Sequence, residues 1–404
     1  MHEVDEAPVP LDTLQQIARA FDPARLVQAR QLAKVTKAQL QERVGVTASA
    51  IGQYERGEVK PRADTVVDLA RVLSVPIGFF AYGRPRVSLE IAQASFRRLR
   101  ATTIQQQQQA VAYAEQVWEL SAYLEEEVEF PELDLPDWVL ADETQAAVAI
   151  DPVSAARLLR AHWGLGTKPI KHLIAEIERR GILVVLFSLS EEGDDQKKHI
   201  DAFSTTATPR PMIVLTPDKA DDVMRHRFSA AHELGHVVLH RWHQTRDAHM
   251  EREADAFAAE FLTPREELAT ELPRRFSLVR LQEIGQRWGV SVKSLVFRSK
   301  ELDLISEATA RRAYVTLATL SRDNVIRAES IARYPGEIPD LLKNALALLD
   351  SVGTTEADVA RTLQWSTSHV RKIAGIEDVR PRLSLVRSSA ANQRATPQRT
   401  ASGR

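Results

Sequence analysis

The chain has 404 residues, a formal net charge of −2 and no cysteine. This length predicts two to four domains, and the small net charge argues against a surface that binds polyanions over its whole extent. The lack of cysteine excludes disulfides, thiol catalysis and cysteine-based zinc sites. The acidic first residues lack the apolar core of a signal peptide, and no apolar run approaches the ~20 residues that span a bilayer. We therefore expect a soluble cytoplasmic protein that does not bind membranes.

Five short helices are predicted in the N-terminal region, at 22–82. Apolar spacing and cap residues place them at 23–34, 37–44, 47–57 and 63–73 and from Pro76 onward. Gly45-Val46 joins the second helix to the third, and two short helices around a glycine turn are typical of a helix-turn-helix. The string from Val44 to Gly57 resembles the XRE family of lambda and 434 repressor-like DNA-binding domains. The resemblance implies that a double-stranded DNA operator is a partner.

The exposed face of the third predicted helix supplies the candidate base contacts. Small and amide side chains there can lie against base edges in the major groove, and they are Thr47, Ala48, Ser49 and Gln53. Three flanking cations are candidate phosphate contacts, namely Arg30, Lys37 and Arg62. The alternative is a helical bundle that docks another protein, in which these cations are ordinary solvated charges.

A helical connector is predicted at 88–135. The glutamine run at 105–109 is followed by apolar residues at helical spacing, which indicates one or two helices rather than a disordered tract. Pro131 and Pro136 mark the boundary that follows. The connector packs against the next domain, mediates dimerisation or acts as a spacer, and the sequence does not decide among these. We expect a homodimer.

Residues 138–302 are predicted to form a domain of mixed helices and strands. Helices are predicted at 152–163 and 169–180, and strands at 182–187, 200–204 and 211–216, the last as a possible edge strand. An edge strand beside a metal-binding helix can take up an extended peptide by main-chain pairing.

The strongest chemical signal is the sequence His232-Glu233-Leu234-Gly235-His236. The surrounding residues 225–240 contain no proline and carry apolar residues at helical spacing, so a helix is predicted there. Two histidines four residues apart project from one face of a helix and can bind one zinc ion. The glutamate between them can take a proton from a water molecule, so the pattern predicts a zinc peptidase.

A second helix, ended by Pro264, is predicted to complete this site. Glu253 precedes its apolar face and is predicted as the third metal ligand, while Glu251 is the alternative if the helix is rotated. His240 lies one turn beyond His236 and is either a group that supports the site or an ordinary packing residue.

The two motifs together resemble the ImmA/IrrE family of metallopeptidases. The resemblance rests on the histidine motif followed by Glu253-Ala254-Asp255-x-Phe257-Ala258-Ala259-x-x-Leu262-x-Pro264, with Asp255 where the family usually has Asn. It spans about residues 140–300. It implies zinc as the cofactor, His232, His236 and Glu253 as its ligands, and Glu233 as the general base. It also implies that the substrate is a protein, such as a partner regulator.

Further helices are predicted in the rest of the chain. Two of them, at 277–288 and 291–298, are assigned to the same domain. Residues 305–385 are predicted as a C-terminal helical domain, and 354–364 with 366–373 form either a further helix-turn-helix or a packing bundle. Residues 386–404 carry no acidic side chain and are predicted to be a disordered basic tail.

The predicted fold class is mainly α with an α+β metallopeptidase domain built on a small sheet. The corresponding function is a transcriptional regulator whose zinc-dependent peptidase domain cleaves the regulator itself or a partner. Two alternatives stay open. The first is a repressor whose zinc domain senses a ligand or a stress without proteolysis, and the second is the antitoxin or immunity component of a two-gene system.

Overall fold

The fold is described from a computed structural model of the chain. The structure describes residues 10–90, 95–96, 103–141, 150–187, 202–216, 222–241, 247–323 and 328–376. The predicted disordered tail at 386–404 and the first residues of the predicted strand at 200–204 lie outside these ranges.

The N-terminal module is a bundle of short helices. They are α1 (Leu11–Arg19), α2 (Pro23–Leu32), α3 (Lys37–Val44), α4 (Ala48–Arg56) and α5 (Ala63–Leu73), followed by a 3-10 turn at Ile77–Phe80. Local chemistry explains the helix-turn-helix, because Thr36 and Gln39 form a capping box at the start of α3 and Gly45 ends it at a φ of 76°. The sequence analysis did not anticipate α1, and its predicted fifth helix is this 3-10 turn.

The connector is one long helix, α6 (Ile104–Glu127). It carries buried polar side chains that meet the N-terminal module. Arg25 Nη2 of α2 donates to Glu119 Oε1 at 2.8 Å, and Gln28 Nε2 donates to Glu115 Oε2 at 2.9 Å. These contacts replace hydration for groups that would be costly to bury alone. The connector is therefore joined to the N-terminal module by specific polar pairs.

A four-stranded sheet is built from segments that lie far apart in the chain. Its strands are β1 (Ser95–Phe96), β2 (Leu183–Leu186), β3 (Ala202–Thr205) and β4 (Met212–Leu215), in the order β1-β3-β4-β2. Strand β3 is antiparallel to both neighbours, whereas β2 and β4 are parallel. The three predicted strands are present, but β4 is interior rather than an edge because β2 pairs with its outer side. The two-residue β1 was not predicted.

Helices cover this sheet and continue to the end of the described chain. They are α7 (Asp137–Leu140), α8 (Pro152–His162), α9 (Leu173–Arg179), α10 (Val223–Leu239), α11 (Ala248–Leu262), α12 (Arg265–Glu271), α13 (Leu278–Trp288), α14 (Val292–Glu301), α15 (Glu307–Arg322), α16 (Leu341–Ser351), α17 (Glu356–Leu363) and α18 (Thr367–Ile373). Within the described residues, none of the helices is long and apolar enough to cross a membrane.

Two hydrophobic cores meet at the sheet, because successive strand residues point to opposite faces. Val184 and Ile213 face a core that also contains side chains of α8 to α11 and of α13 to α15. Val185 and Val214 face a core shared by the N-terminal module, α6 and α16 to α18. The region predicted as one unit at 305–385 is thus divided, since α15 packs with α14 while α16 to α18 pack with the connector and the N-terminal module.

Candidate metal centre and nucleic-acid interface

Helices α10 and α11 hold the candidate metal centre. Asp222 caps the start of α10, and Asp247 caps α11 through the backbone N–H groups of His249 and Met250. The two helices cross closely at Gly235, where a Cβ atom would lie 2.9 Å from Cδ1 of Phe257 and 3.3 Å from Cα of Ala254. The glycine of the histidine motif therefore allows α11 to approach the face of α10 that carries both histidines.

The site brings together His232, His236 and Glu251. The two Nε2 atoms lie 3.1 Å apart, and the Glu251 carboxylate oxygens lie 3.3 Å from His236 Nε2 and 3.6 Å from His232 Nε2. Two ligand atoms at ordinary zinc distances and a tetrahedral angle are about 3.3 Å apart. The donor set, two imidazoles and one carboxylate, is also one that zinc takes in peptidases. The residues present therefore fit a zinc ion.

Glu251, rather than the predicted Glu253, completes this group. Residues two apart on a helix point in nearly opposite directions, so only one of the two carboxylates can face the histidines. Glu253 Oε2 instead lies 3.0 Å from His240 Nε2 and 3.2 Å from His249 Nδ1. The sequence prediction aligned the polar residue with Phe257, whereas Ala254 and Ala258 share the face of Glu251 at i+3 and i+7, so the geometry favours Glu251 as the third ligand.

A second set of contacts orients the two imidazoles. His232 Nδ1 lies 2.8 Å from Asp255 Oδ1, and His236 Nδ1 lies 2.9 Å from His240 Nδ1. His240 in turn reaches Glu253 through Nε2. Because Nδ1 of each ring is engaged, both Nε2 atoms are directed at Glu251. The sequence analysis left the role of His240 open and assigned none to Asp255, and the structure places both beside the ligand rings.

The electrostatics of Glu251 reflect the same arrangement. Burial acts to raise the pKa of the Glu251 carboxyl, but hydrogen bonds and positive charge from His232 and His236 outweigh it and hold the pKa well below its usual range. An ionised carboxylate is the form that binds a metal cation. The two imidazoles thus favour the ionised form of the Glu251 carboxyl.

Glu233 occupies the position predicted for a general base. It lies on α10 between the two histidines, and its Oε2 accepts a hydrogen bond from Ser204 Oγ of β3 at 2.7 Å. His232 and Glu233 are 0% exposed and His236 is 1% exposed, whereas the Glu251 side chain is 31% exposed, so the centre is buried on the side of α10 and meets solvent at Glu251. The link to Ser204 ties the base to the sheet, a contact that no sequence motif indicated.

The helix-turn-helix presents only part of the predicted DNA-contact set to solvent. Thr47 and Ser49 are exposed at the start of α4, Gln53 is half-buried and Arg62 is exposed. Ala48 is the first residue of α4, and its side chain is outside the described part of the chain.

Two of the predicted phosphate contacts are paired within the protein. The carboxylate of Glu55 on α4 forms ion pairs with both, at 2.7 Å from Lys37 Nζ and 2.5 Å from Arg30 Nε. Lys37 remains half-exposed, but Arg30 is buried and also donates to the Val35 carbonyl. The expectation that Arg30 meets phosphates is therefore not supported, because its guanidinium holds α2 to α4.

Comparison with known families agrees with these two sites. Residues 26–80 match the helix-turn-helix family, and residues 177–300 match the family described as the IrrE N-terminal-like domain, a peptidase family. The first match contains α3 and α4, and the second begins within α9 and runs through β2, β3, β4 and the helices α10 and α11 to α14. A search of curated protein sequences gave no significant match.

Proposed function

We propose that this chain, in which a helix-turn-helix module is fused to an IrrE N-terminal-like peptidase module, is a transcriptional regulator whose zinc-dependent peptidase cleaves the regulator itself or a partner regulator. One observation carries the peptidase assignment. His232, His236 and Glu251 direct their ligand atoms at one point, with Glu233 on the same helix between the histidines. A site with three protein ligands and one remaining position is the form that catalytic zinc takes.

The proposed chemistry divides among the residues of the centre. Zinc held by His232, His236 and Glu251 would supply a Lewis acid for the scissile carbonyl and lower the pKa of a water molecule. Glu233 takes the proton of the attacking water and delivers it to the leaving amine. Ser204 holds the Glu233 carboxylate by its hydrogen bond, and Asp255 keeps His232 in the tautomer that leaves Nε2 for the metal.

The DNA side of the proposal uses the exposed start of α4. Thr47, Ser49 and Gln53 are proposed to meet base edges, and Lys37 and Arg62 to meet phosphates. Helix-turn-helix regulators commonly bind two half-sites as dimers, so a homodimer is the proposed form on DNA.

A second candidate is a regulator whose zinc domain senses a ligand or a stress without proteolysis. The observation that favours it is the burial of His232, Glu233 and His236, because a peptidase needs its catalytic groups to be reachable by substrate. The two candidates differ in what Glu233 does. A sensor needs the metal ligands but not the general base.

The experiment compares the wild type with Glu233→Gln and His232→Ala. Each purified protein is incubated with zinc and duplex DNA from upstream of its own gene, and with the products of the neighbouring genes. The peptidase proposal expects a discrete fragment from the wild type and none from Glu233→Gln, although that variant retains zinc. The domain is a sensor if the wild type produces no fragment and if the wild type and Glu233→Gln derepress their target gene equally under stress.

A further inference from the structure

We infer that Ser95–Phe96 of this same chain occupies the outer edge of β3 in the resting protein as an internal competitor of an extended peptide substrate, which would pair with that edge in the general manner described above. The inference rests on the proposed peptidase function and adds how substrate is admitted. It concerns β1, the two-residue strand that the sequence did not predict.

The sheet topology isolates this edge. Strand β1 pairs antiparallel with β3, with Ser95 opposite Ser204 and Phe96 opposite Phe203. On its other side β3 is already paired with β4. Without β1, the backbone N–H and C=O groups on the outer side of β3 would be an open template for another extended chain. Such addition of a strand to an edge is a general mode of peptide recognition.

The position of the edge connects it to the candidate catalytic centre. Ser95 lies across the strand pair from Ser204, and Ser204 Oγ donates to the Glu233 carboxylate at 2.7 Å. A peptide that replaced β1 would therefore pair with the residue that holds the proposed general base. His232, His236 and Glu233 are buried, which agrees with a resting form in which the edge of β3 is filled, while the Glu251 side chain on α11 stays 31% exposed.

The length of β1 favours a competitor that can be displaced. Ser95–Phe96 forms two residue pairs, while β3 offers four residues, Ala202–Thr205. A longer extended segment can form more cross-strand hydrogen bonds than the internal one and can displace it. The strength of the β1–β3 pairing determines the fraction of molecules whose β3 edge is open. The apparent affinity for any substrate is reduced in proportion to that fraction.

The contacts of the N-terminal module argue against Ser95–Phe96 as the cleavage site. A cut there would break the covalent link between the DNA-binding module and α6. The module would still be held to α6 by the pairs of Arg25 with Glu119 and of Gln28 with Glu115, and to α17 by Arg84, which donates to the Leu363 carbonyl. Self-cleavage at this point would not release the DNA-binding module, whereas displacement would open the edge.

The test uses the full chain with Glu233→Gln, so that bound peptide is not consumed. Ser95→Pro/Phe96→Pro removes the N–H groups of β1, and Ser95→Ala/Phe96→Ala is the control that keeps them. The probe is a fluorescent synthetic peptide with the sequence of residues 90–101, alongside a scrambled version. If less than a tenth of the parent has an open edge, we expect the proline variant to bind the probe at least about tenfold more tightly than the parent. Hydrogen exchange at Ala202–Thr205 should accelerate in the proline variant and slow again when the probe is bound.

Equal probe binding by the parent and the proline variant, or unchanged exchange at β3, would overturn the inference. If the proline variant fails to fold or loses zinc, the same measurements on Ser95→Gly/Phe96→Gly decide the question, since glycine keeps the N–H and weakens the strand. Cleavage of the zinc-loaded wild type next to Ser95 would also overturn it, by making the segment a substrate. These readouts do not need turnover, so a protein that admits the probe but never cleaves any target would refute the peptidase proposal alone.

Discussion

His369 is the residue at which we expect the clearest dependence of stability on pH. Its imidazole Nε2 lies 2.5 Å from Gln116 Oε1 of α6, and Trp365 packs edge-on against it with ring centroids 5.1 Å apart. Although part of the residue is accessible, desolvation of the ring, with a smaller effect of nearby Lys372, lowers the pKa of His369 from 6.5 to about 4. The folded protein therefore favours the neutral ring, which donates its Nε2 proton to Gln116.

The sign and size of the effect follow from linkage. Because the folded-state pKa lies below the unfolded one, the stabilisation is complete above pH 6.5 and is lost as the pH falls from 6.5 towards 4. With pKa values of 6.5 and about 4, the loss is about 2 kcal/mol at pH 5 and about 3 kcal/mol well below pH 4. The region at risk is the packing of α18 on the connector α6.

The assay is urea unfolding of the wild type and His369→Gln at pH 7 and pH 5. Glutamine keeps an N–H donor for Gln116 but cannot become charged, so the variant should lose about 2 kcal/mol less than the wild type between the two pH values. His172→Gln, at an exposed histidine, is the control for removing an imidazole. The other titratable groups are common to the wild type and His369→Gln, so their contributions cancel in the comparison. Equal losses in the wild type and His369→Gln would refute the reasoning.

Three further predictions concern the buried ion pair and the metal centre. Glu119→Ala should lower the free energy of unfolding in urea by about 3–5 kcal/mol, because it leaves a buried guanidinium without its carboxylate partner. Asp68→Ala, at an exposed pair, should lower it by at most about 1 kcal/mol. Similar losses in the two variants would contradict the role of the buried pair. Gly235→Ala should cost about 1–3 kcal/mol and lower zinc affinity, since the new methyl group meets an aromatic ring of α11; unchanged stability would show that α11 can shift. Metal analysis should find about one zinc per chain in Glu253→Ala and a large loss in Glu251→Ala; the reverse would restore the ligand expected from sequence.

The N-terminal helices could be predicted because their boundaries depend on neighbouring residues. Thr36 and Gln39 cap α3 within one turn, and Gly45 ends it with a left-handed backbone. The environment of Arg30 could not be predicted in the same way. Its partner Glu55 lies 25 residues further along the chain, and whether an arginine meets solvent or a carboxylate depends on tertiary packing.

The strands also divide into those that neighbouring residues predict and one that depends on tertiary packing. The hydrophobic runs of β2 and β4 predict strands because every position faces a core or a buried neighbour. Two residues, Ser95 and Phe96, carry no periodic signal, and their strand exists only because β3, more than a hundred residues later in the chain, offers an unpaired edge. A pairing between distant segments cannot be inferred from either segment alone.

The metal centre shows which of its residues a sequence motif can predict and which depend on tertiary geometry. Spacing alone assigns both histidines and Glu233, because residues at i and i+4 share a helix face whatever surrounds them. The proposed third ligand comes from another helix, and the choice between Glu251 and Glu253 depends on the rotation of α11 about its axis. In the structure α11 approaches α10 closely at Gly235, with Ala254 beside it, and Glu251, which shares the face of Ala254, lies beside the histidines. Glu253 then meets His240, where it can support the position of a ligand ring rather than replace a ligand.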